Sequence, residues 1–280
     1  LMSLFVLSLV LFSAFMHALW NLFVKKSHDH LLTMASLHIV SGVIGMTTVP
    51  FLQIPKPESW PYILASVILH LGYQLSLVKA YAHGDLGQVY PIARGISPLL
   101  LILVSSLWIG EELSTNIIFA IILITLGIFI IIFNGRKILS HSFRPIFYAI
   151  LTGFFIASYT IADGLGVRYS GNSISYVMWL MTLEFWPLLL VTIFRRKNLI
   201  VSFFKQKWIF AVLGGIFSIT SYGIVVWAMQ HSQIALVAAL RESSVVIAAL
   251  LSIIILKEKT TYKHFFAVLM VCLGVMLSRI

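Results

Sequence analysis

The chain has 280 residues, 60% of them hydrophobic and 10% charged, with a formal net charge of +10. A soluble domain carries about 25% charge, so this composition, with a mean hydropathy of +1.02, excludes a soluble globular protein and points to an integral membrane protein. The positive charge does not imply a nucleic-acid partner, because the cations sit in short joints between apolar runs and not along one basic face.

Ten apolar runs follow one another, each near the ~20 residues that a bilayer requires. They cover roughly 2–24, 32–52, 61–82, 88–109, 116–133, 145–165, 174–194, 208–229, 233–256 and 261–278. The first reads as a span and not as a cleavable signal, because no basic region or small-residue cleavage site accompanies it. The runs are continuous and lack the ten-residue alternation of barrel strands, so each is expected to be a helix that satisfies its own backbone in lipid. The joints are marked by charge, Gly, Pro and Asn: KKSHDH, QIPKPESW, HGDLGQ, GEELST, NGRKILSHSFR, RYSGNS, RRKNLIVSFFKQK, QHSQ and KEKTTYK. Lys and Arg concentrate in the odd-numbered joints. The positive-inside rule then puts those joints in the cytoplasm and both termini outside.

Within these runs one pattern is used twice. Gln88 to Trp108 and Gln233 to Leu256 align at a constant offset of 147, which places Arg94 on Arg241, Ser97 on Ser244 and Ser105 on Ser252. The register continues through Glu111 and Glu258, Phe119-Ala120 and Phe266-Ala267, and Leu126-Gly127 and Leu273-Gly274. A looser offset of 139 lays Trp20-Asn21 on Tyr159-Thr160. The 147 offset pairs spans five apart, so the two copies enter the membrane from opposite sides. That is an inverted-topology repeat, with the division expected at 1–134 and 144–280 and a site near the midplane.

Charge inside a span is expensive and marks function or a partner. Tyr90, Arg94, Ser97, Leu101 and Ser105 share one helical stripe, and Val237, Arg241, Ser244, Ala248 and Ser252 share its counterpart. A guanidinium grips carboxylate or phosphate through two hydrogen bonds, so the arginines are candidate anion ligands. They are equally candidates for structural pairing with Glu184, Glu242 or Asp163. Those three acids are in turn candidates for binding an amine or carrying a proton, since a low dielectric penalises a charged carboxylate. Lys79, near the end of the third span, either snorkels to the interface or faces a cavity. Trp20, Asn21, Tyr159, Trp179 and Trp227 are large amphipathic groups within spans; they would line a site for an amphipathic or aromatic solute, or pack against lipid and neighbouring helices. His17, His38 and His70 show no metal-ligand spacing and read as contacts between helices. Pro91 and Pro98 interrupt the backbone ladder of the fourth span; Ala and Val stand in their place in the second copy, which predicts a kink in the first half alone. Cys272 is the single cysteine, so no disulfide forms within the chain. No nucleotide-binding loop, HExxH, GxSxG or Cys/His cluster occurs. Neither an enzyme, a metal nor a cofactor is therefore expected.

The doubled block AYAHGDLGQVYPIARGISPLLLILVSSLWIGEEL with LGIF, and AMQHSQIALVAALRESSVVIAALLSIIILKEK with LGVM, resembles the drug/metabolite transporter superfamily in its ten-helix EamA branch. The Trp20-Asn21 pair also looks like that family's first helix. The resemblance implies an all-helical bundle of two inverted five-helix repeats, with a cavity between the first, third, fourth, sixth, eighth and ninth helices. It implies secondary transport of a small metabolite by alternating access. The expected direction is export and the expected solute is amino-acid-like, zwitterionic or anionic, with protons or another ion for coupling. An uncoupled facilitator and a transporter of cationic drugs or quaternary amines are the alternatives. A bacterial inner membrane, a lipid surround and a monomer or homodimer complete the expectation. On this reading Trp20, Asn21, Lys79, Tyr90, Arg94, Ser97, Tyr159, Trp227, Arg241 and Ser244 contact substrate, and Asp163, Glu184 and Glu242 couple it to an ion.

Overall fold

A computed structural model describes residues 2–25, 27, 29–83, 86–132, 143–256 and 262–279. The described residues are helical with short connections. The helices are α1 (Leu4–Lys25), α2 (His30–Thr48), α3 (Trp60–His83), α4 (Leu86–Val104), α5 (Thr115–Ile132), α6 (Arg144–Ser170), α7 (Ser173–His231), α8 (Ile234–Glu242), α9 (Ser244–Leu256) and α10 (Tyr262–Leu277). Among the described residues, eight stretches are long and apolar enough to cross a bilayer: Leu4–Asn21, His30–Phe51, Pro57–Ala80, Ile92–Ile109, Arg144–Ser170, Ser173–Lys197, Leu199–His231 and Ile234–Leu251. Thr115–Ile130 and Tyr262–Leu277 are apolar but shorter.

Side chains set several boundaries. Asp29 caps α2 by accepting from the Leu32 amide at 3.1 Å, and Asn172 caps α7 by accepting from Ser175 at 3.1 Å. Each satisfies an amide that the first helical turn leaves open. A π turn over Ser105–Ile109 extends α4, and the chain reverses at Gly110 with φ 73°.

Two elements depart from the reading of the apolar runs. The basic joint RRKNLIVSFFKQK is helical, so α7 carries two limbs, with non-helical backbone at Arg196 and at Lys207. α4 runs helical from Leu86 to Val104, so the amide that Pro98 lacks costs the fourth span a ladder bond without ending the helix. A break falls in the second copy, at Ser243, between α8 and α9. There the Ser243 hydroxyl donates to the Leu240 carbonyl at 2.6 Å, a local bond that competes with the helical ladder.

The helices interleave. α4 lies on α6, while α8 and α9, its counterparts, lie on α1. α3 also lies on α6, and the second limb of α7 meets α1, where Ser221 donates to the Ser13 carbonyl at 2.9 Å. α5 packs on α10 through glycine. A methyl group at Gly127 would come 2.9 Å from the Ala267 carbonyl oxygen, and one at Gly274 would come 2.8 Å from that of Ala120. Without a hydrophobic force between helices in lipid, close backbone approach at small residues supplies the packing energy. The pairs 127–267 and 120–274 advance in opposite senses, so α5 and α10 are antiparallel. Each pair is also the image of the other under the 147 offset.

Candidate functional site

Two buried arginines occupy the middle of the bundle in unlike surroundings. Arg94, on α4, donates from Nη1 to both carboxylate oxygens of Glu242 at 2.9 and 3.2 Å. Its Nη2 lies 2.7 Å from His17 Nε2. A guanidinium has no acceptor, so His17 receives this bond through its ring lone pair. The Arg94 and Glu242 side chains are 2% and 3% exposed. The pair therefore joins α4 of one sequence copy to α8 of the other in a dry environment.

Arg241 is also buried, yet among the described residues it has no ion-pair partner, and its Nε is enclosed without an acceptor. Its guanidinium carbon stands 5.2 Å from the centroid of the Tyr222 ring, a cation–π contact. The break after Glu242 leaves Arg241 in the last turn of α8, where the open carbonyls of a helix C-terminus favour a cation. Among the described residues no carboxylate lies within ion-pair distance to add to these two weak compensations.

Arg241 lines a central cavity of about 50 Å³ with His17, Trp20, His38, His70, Tyr73, Tyr159, Glu184 and Tyr222. At 10–15 Å³ per water, it has room for a few waters only, so the site stands nearly closed. Glu184 receives Gln74 Nε2 at 3.1 Å on Oε1, and His38 Nδ1 lies 3.5 Å from the same oxygen. Its Oε2 is buried without a partner. An unpaired guanidinium and a half-satisfied carboxylate thus face one enclosed space. The aromatic wall is continuous: His70 stacks on Tyr159 at 3.9 Å, and Tyr73 and Tyr222 meet Tyr159 edge-on at 5.7 and 6.3 Å.

The two ends of the bundle differ. Trp20, Met34 and Tyr73 also line a small void of about 20 Å³, and His30 and Val78 of that void line a cavity of about 430 Å³ beside Asp29, Arg195 and Arg196. A chain of voids therefore leads from the centre to the end that carries the basic joints. Toward the opposite end the centre is walled off. Tyr176 donates to Asp163 Oδ1 at 2.9 Å, Tyr222 donates to Asp163 Oδ2, and Asp163 is fully buried beneath them. Beyond that layer Arg168 Nη2 donates to Glu111 at 2.6 Å and to the Ser232 carbonyl at 3.0 Å. Glu111 accepts the Ile234 amide with both oxygens, at 3.0 and 3.1 Å.

Of the residues singled out from the sequence, Trp20, Tyr159, Arg241 and Glu184 line the central cavity, and Asn21 lines the small void next to it. Arg94 and Glu242 are engaged with each other. Ser97 and Ser244 are buried among the helices away from the cavity lining, and the Ser244 hydroxyl has no partner. Lys79 is exposed, its Nζ 5.5 Å from the Tyr148 ring centroid. Trp227 packs against Phe5 and His231 at 6.1 and 4.5 Å, outside the cavity. The side chain of Tyr90 lies outside the described residues. Sequence reasoning did not single out Tyr73, Gln74 and Tyr222 and took His38 and His70 for plain helix contacts. A glutamine within an apolar run is itself a polar signal, and Gln74 was legible on that ground. Among the described residues no group of three or more His, Cys, Asp or Glu could hold a metal.

Apolar helices of spanning length around an enclosed polar centre define a multi-pass membrane protein. The chain belongs to the EamA-like transporter family, which it matches over residues 4–133 and again over 143–280. It is thus a transporter of the drug/metabolite type built from two EamA repeats, a transporter rather than an enzyme. A solved structure described as "Crystal structure of protein" shares the fold at a TM-score of 0.81 and 15% identity, covering 98% of each chain. No curated protein matches the sequence.

Proposed function

We propose that this protein is a secondary transporter that exports a small amino-acid-like metabolite by alternating access, with the substrate carboxylate bound at Arg241. The observation that carries this reading is the buried guanidinium of Arg241, unpaired among the described residues and lining an enclosed central cavity. A buried charge with no partner is strongly unfavourable, and a ligand carboxylate would complete it with two hydrogen bonds. Glu184, with one oxygen open, takes the substrate amine or a proton. Trp20, Tyr73, Tyr159 and Tyr222 form the wall along which the rest of the solute lies. Arg94 and Glu242 act as a fixed tie between repeats, and Asp163 holds the tyrosine layer on the closed side.

Ten spans in two inverted repeats, 1–134 and 144–280, are the architecture on which this rests. The antiparallel packing of α5 on α10 supports the inversion, and these two shorter apolar helices supply the fifth and tenth crossings. Inverted repeats of this kind open a central site to each side in turn. A cavity of about 50 Å³ fits the nearly closed stage of that cycle.

A second reading has its own observation: the open oxygen of Glu184 within an aromatic enclosure suits a cationic or quaternary amine. Counterflow in proteoliposomes separates the two. Zwitterionic amino acids, phosphorylated metabolites and quaternary amines are each tested on the wild type, Arg241→Ala and Glu184→Gln. Saturable counterflow of a carboxylate or phosphate solute, lost in Arg241→Ala, is the expected result. Flux of amines alone, lost only in Glu184→Gln, would establish the second reading and overturn the first. Carboxylate flux untouched by Arg241→Ala would remove the arginine from the site.

A further inference from the structure

We infer that the groove between α2 and the segment joining the two limbs of α7 is a seat for an anionic phospholipid, separate from the central cavity. The joining segment is bounded by backbone breaks at Arg196 and Lys207. Leu199, Ser202, Phe203 and Gln206 follow the spacing of a single helical face and line the groove. Leu32 and Leu37 of α2 form the facing wall, and the enclosed volume is about 590 Å³. That is within the range of sites that hold organic ligands.

Length places the segment at the headgroup level. The limb of α7 that follows the break at Lys207 runs to His231, about 36 Å of helix at 1.5 Å per residue, and so covers a hydrocarbon core of about 30 Å without the residues before the break. The segment before the break therefore lies at the interface. Leu199, Val201, Trp208, Ile209 and Phe210 are exposed in or just after it, an apolar surface for acyl chains. Charge selects the headgroup. Arg195, Arg196, Lys197, Lys205 and Lys207 all lie exposed in or beside the segment, and Lys207 lines the groove itself. Asp29 is the acid that lines it, and Arg196 Nε engages that carboxylate at 3.2 Å. Lys207 Nζ stands 5.9 Å from the Phe210 ring centroid, and beyond Asp29 no acid among the lining residues answers the exposed cations, which complements a lipid phosphate. A juxtamembrane basic cluster on an amphipathic segment is the feature that anionic lipids recognise.

The test uses the purified full chain in a neutral detergent, with phosphatidylglycerol, phosphatidylcholine and glycerol 3-phosphate as probes. Bound lipid is counted by native mass spectrometry, and the unfolding midpoint is read in parallel. Phosphatidylglycerol is expected to bind on the order of tenfold more tightly than phosphatidylcholine, and Lys205→Gln with Lys207→Gln is expected to abolish that preference. The two lysines are exposed, and the readout is the lipid-dependent increment over each protein's own baseline, so a change in intrinsic stability does not obscure it. Equal binding of the two lipids would overturn the proposal, as would a preference that survives the double substitution. An equal response to glycerol 3-phosphate would replace the lipid by a free anion and likewise overturn it.

Discussion

Arg94 and Arg241 occupy the same place in the two copies of one helix pattern, and the structure gives them opposite conditions. Arg94 is saturated by Glu242 and His17. Arg241 rests over one tyrosine ring, with no ion-pair partner among the described residues. The cause is a single asymmetry. Glu242 follows Arg241 in the second copy, and Gly95 stands at its counterpart in the first. The one carboxylate next to the pattern's arginines in sequence pairs with the distant Arg94 and not with its neighbour Arg241. A repeat that preserved both residues would have paired both cations and left nothing for a ligand. The difference teaches that duplication supplies the framework, while the departure from it leaves one buried cation without an ion-pair partner among the described residues.

The sharpest way to break this comparison is to remove each arginine in turn. Arg241→Ala is expected to weaken substrate binding on the order of 100-fold or more, the scale on which one partner of a buried charge pair is lost, with the folded state retained. Counterflow and the unfolding midpoint, measured on the same preparation, check both halves of that statement. Arg94→Ala is expected to act mainly on stability. It leaves Glu242 as an uncompensated buried charge, at a cost of about 3–5 kcal/mol, read as a fall in the thermal midpoint in detergent. Replacing the pair together, Arg94→Met with Glu242→Leu, should restore most of that loss.

Smaller effects sharpen the account of the repeat and its two ends. Gly127→Leu or Gly274→Leu would force α5 from α10, with a destabilisation of about 1–3 kcal/mol. The two variants should be similar in size, because the contacts of Gly127 with Ala267 and of Gly274 with Ala120 are equivalent under the repeat. Arg168→Gln loosens the end closed by Glu111. The pair is partly exposed, so less than about 1 kcal/mol of stability is expected to be lost. Thiol labelling of a cysteine placed at Leu236, with Cys272 replaced first, should nonetheless accelerate. Lys79→Gln is expected to change neither transport nor stability measurably, since Lys79 lies exposed over Tyr148.

Much of this architecture was legible in the residues, and the limit of legibility has a physical form. The repeat could be read because identical residues recur at a fixed spacing, and Gly127 with Ala267 and Gly274 with Ala120 turn that spacing into contact. Which acid meets Arg94 could not be read. Glu184, Glu242 and Asp163 all lie inside apolar runs, and only the three-dimensional packing of α4 beside α8 selects Glu242, 148 positions away. Tyr73, Tyr222 and His38 were likewise hidden, because a polar group in a span has the same composition whether it faces a cavity or a neighbouring helix. The joint RRKNLIVSFFKQK was read as a break on account of its charge. The apolar spacing of Leu199, Phe203 and Phe210 within it is what keeps it helical. The helix assignment continues through Pro98 in the first copy and is divided at Ser243 in the second, where a hydroxyl takes the carbonyl that the helix would use.

The most direct test of the central claim, that Arg241 and not Arg94 is the ligand-binding cation, is a thermal-shift screen of the purified protein against zwitterionic amino acids and phosphorylated metabolites. Ligand that binds only the folded state raises the midpoint. The account predicts a shift in the wild type and in the Arg94→Met, Glu242→Leu pair, and none in Arg241→Ala. A shift that persists without Arg241, or that vanishes with the Arg94–Glu242 pair, would contradict it.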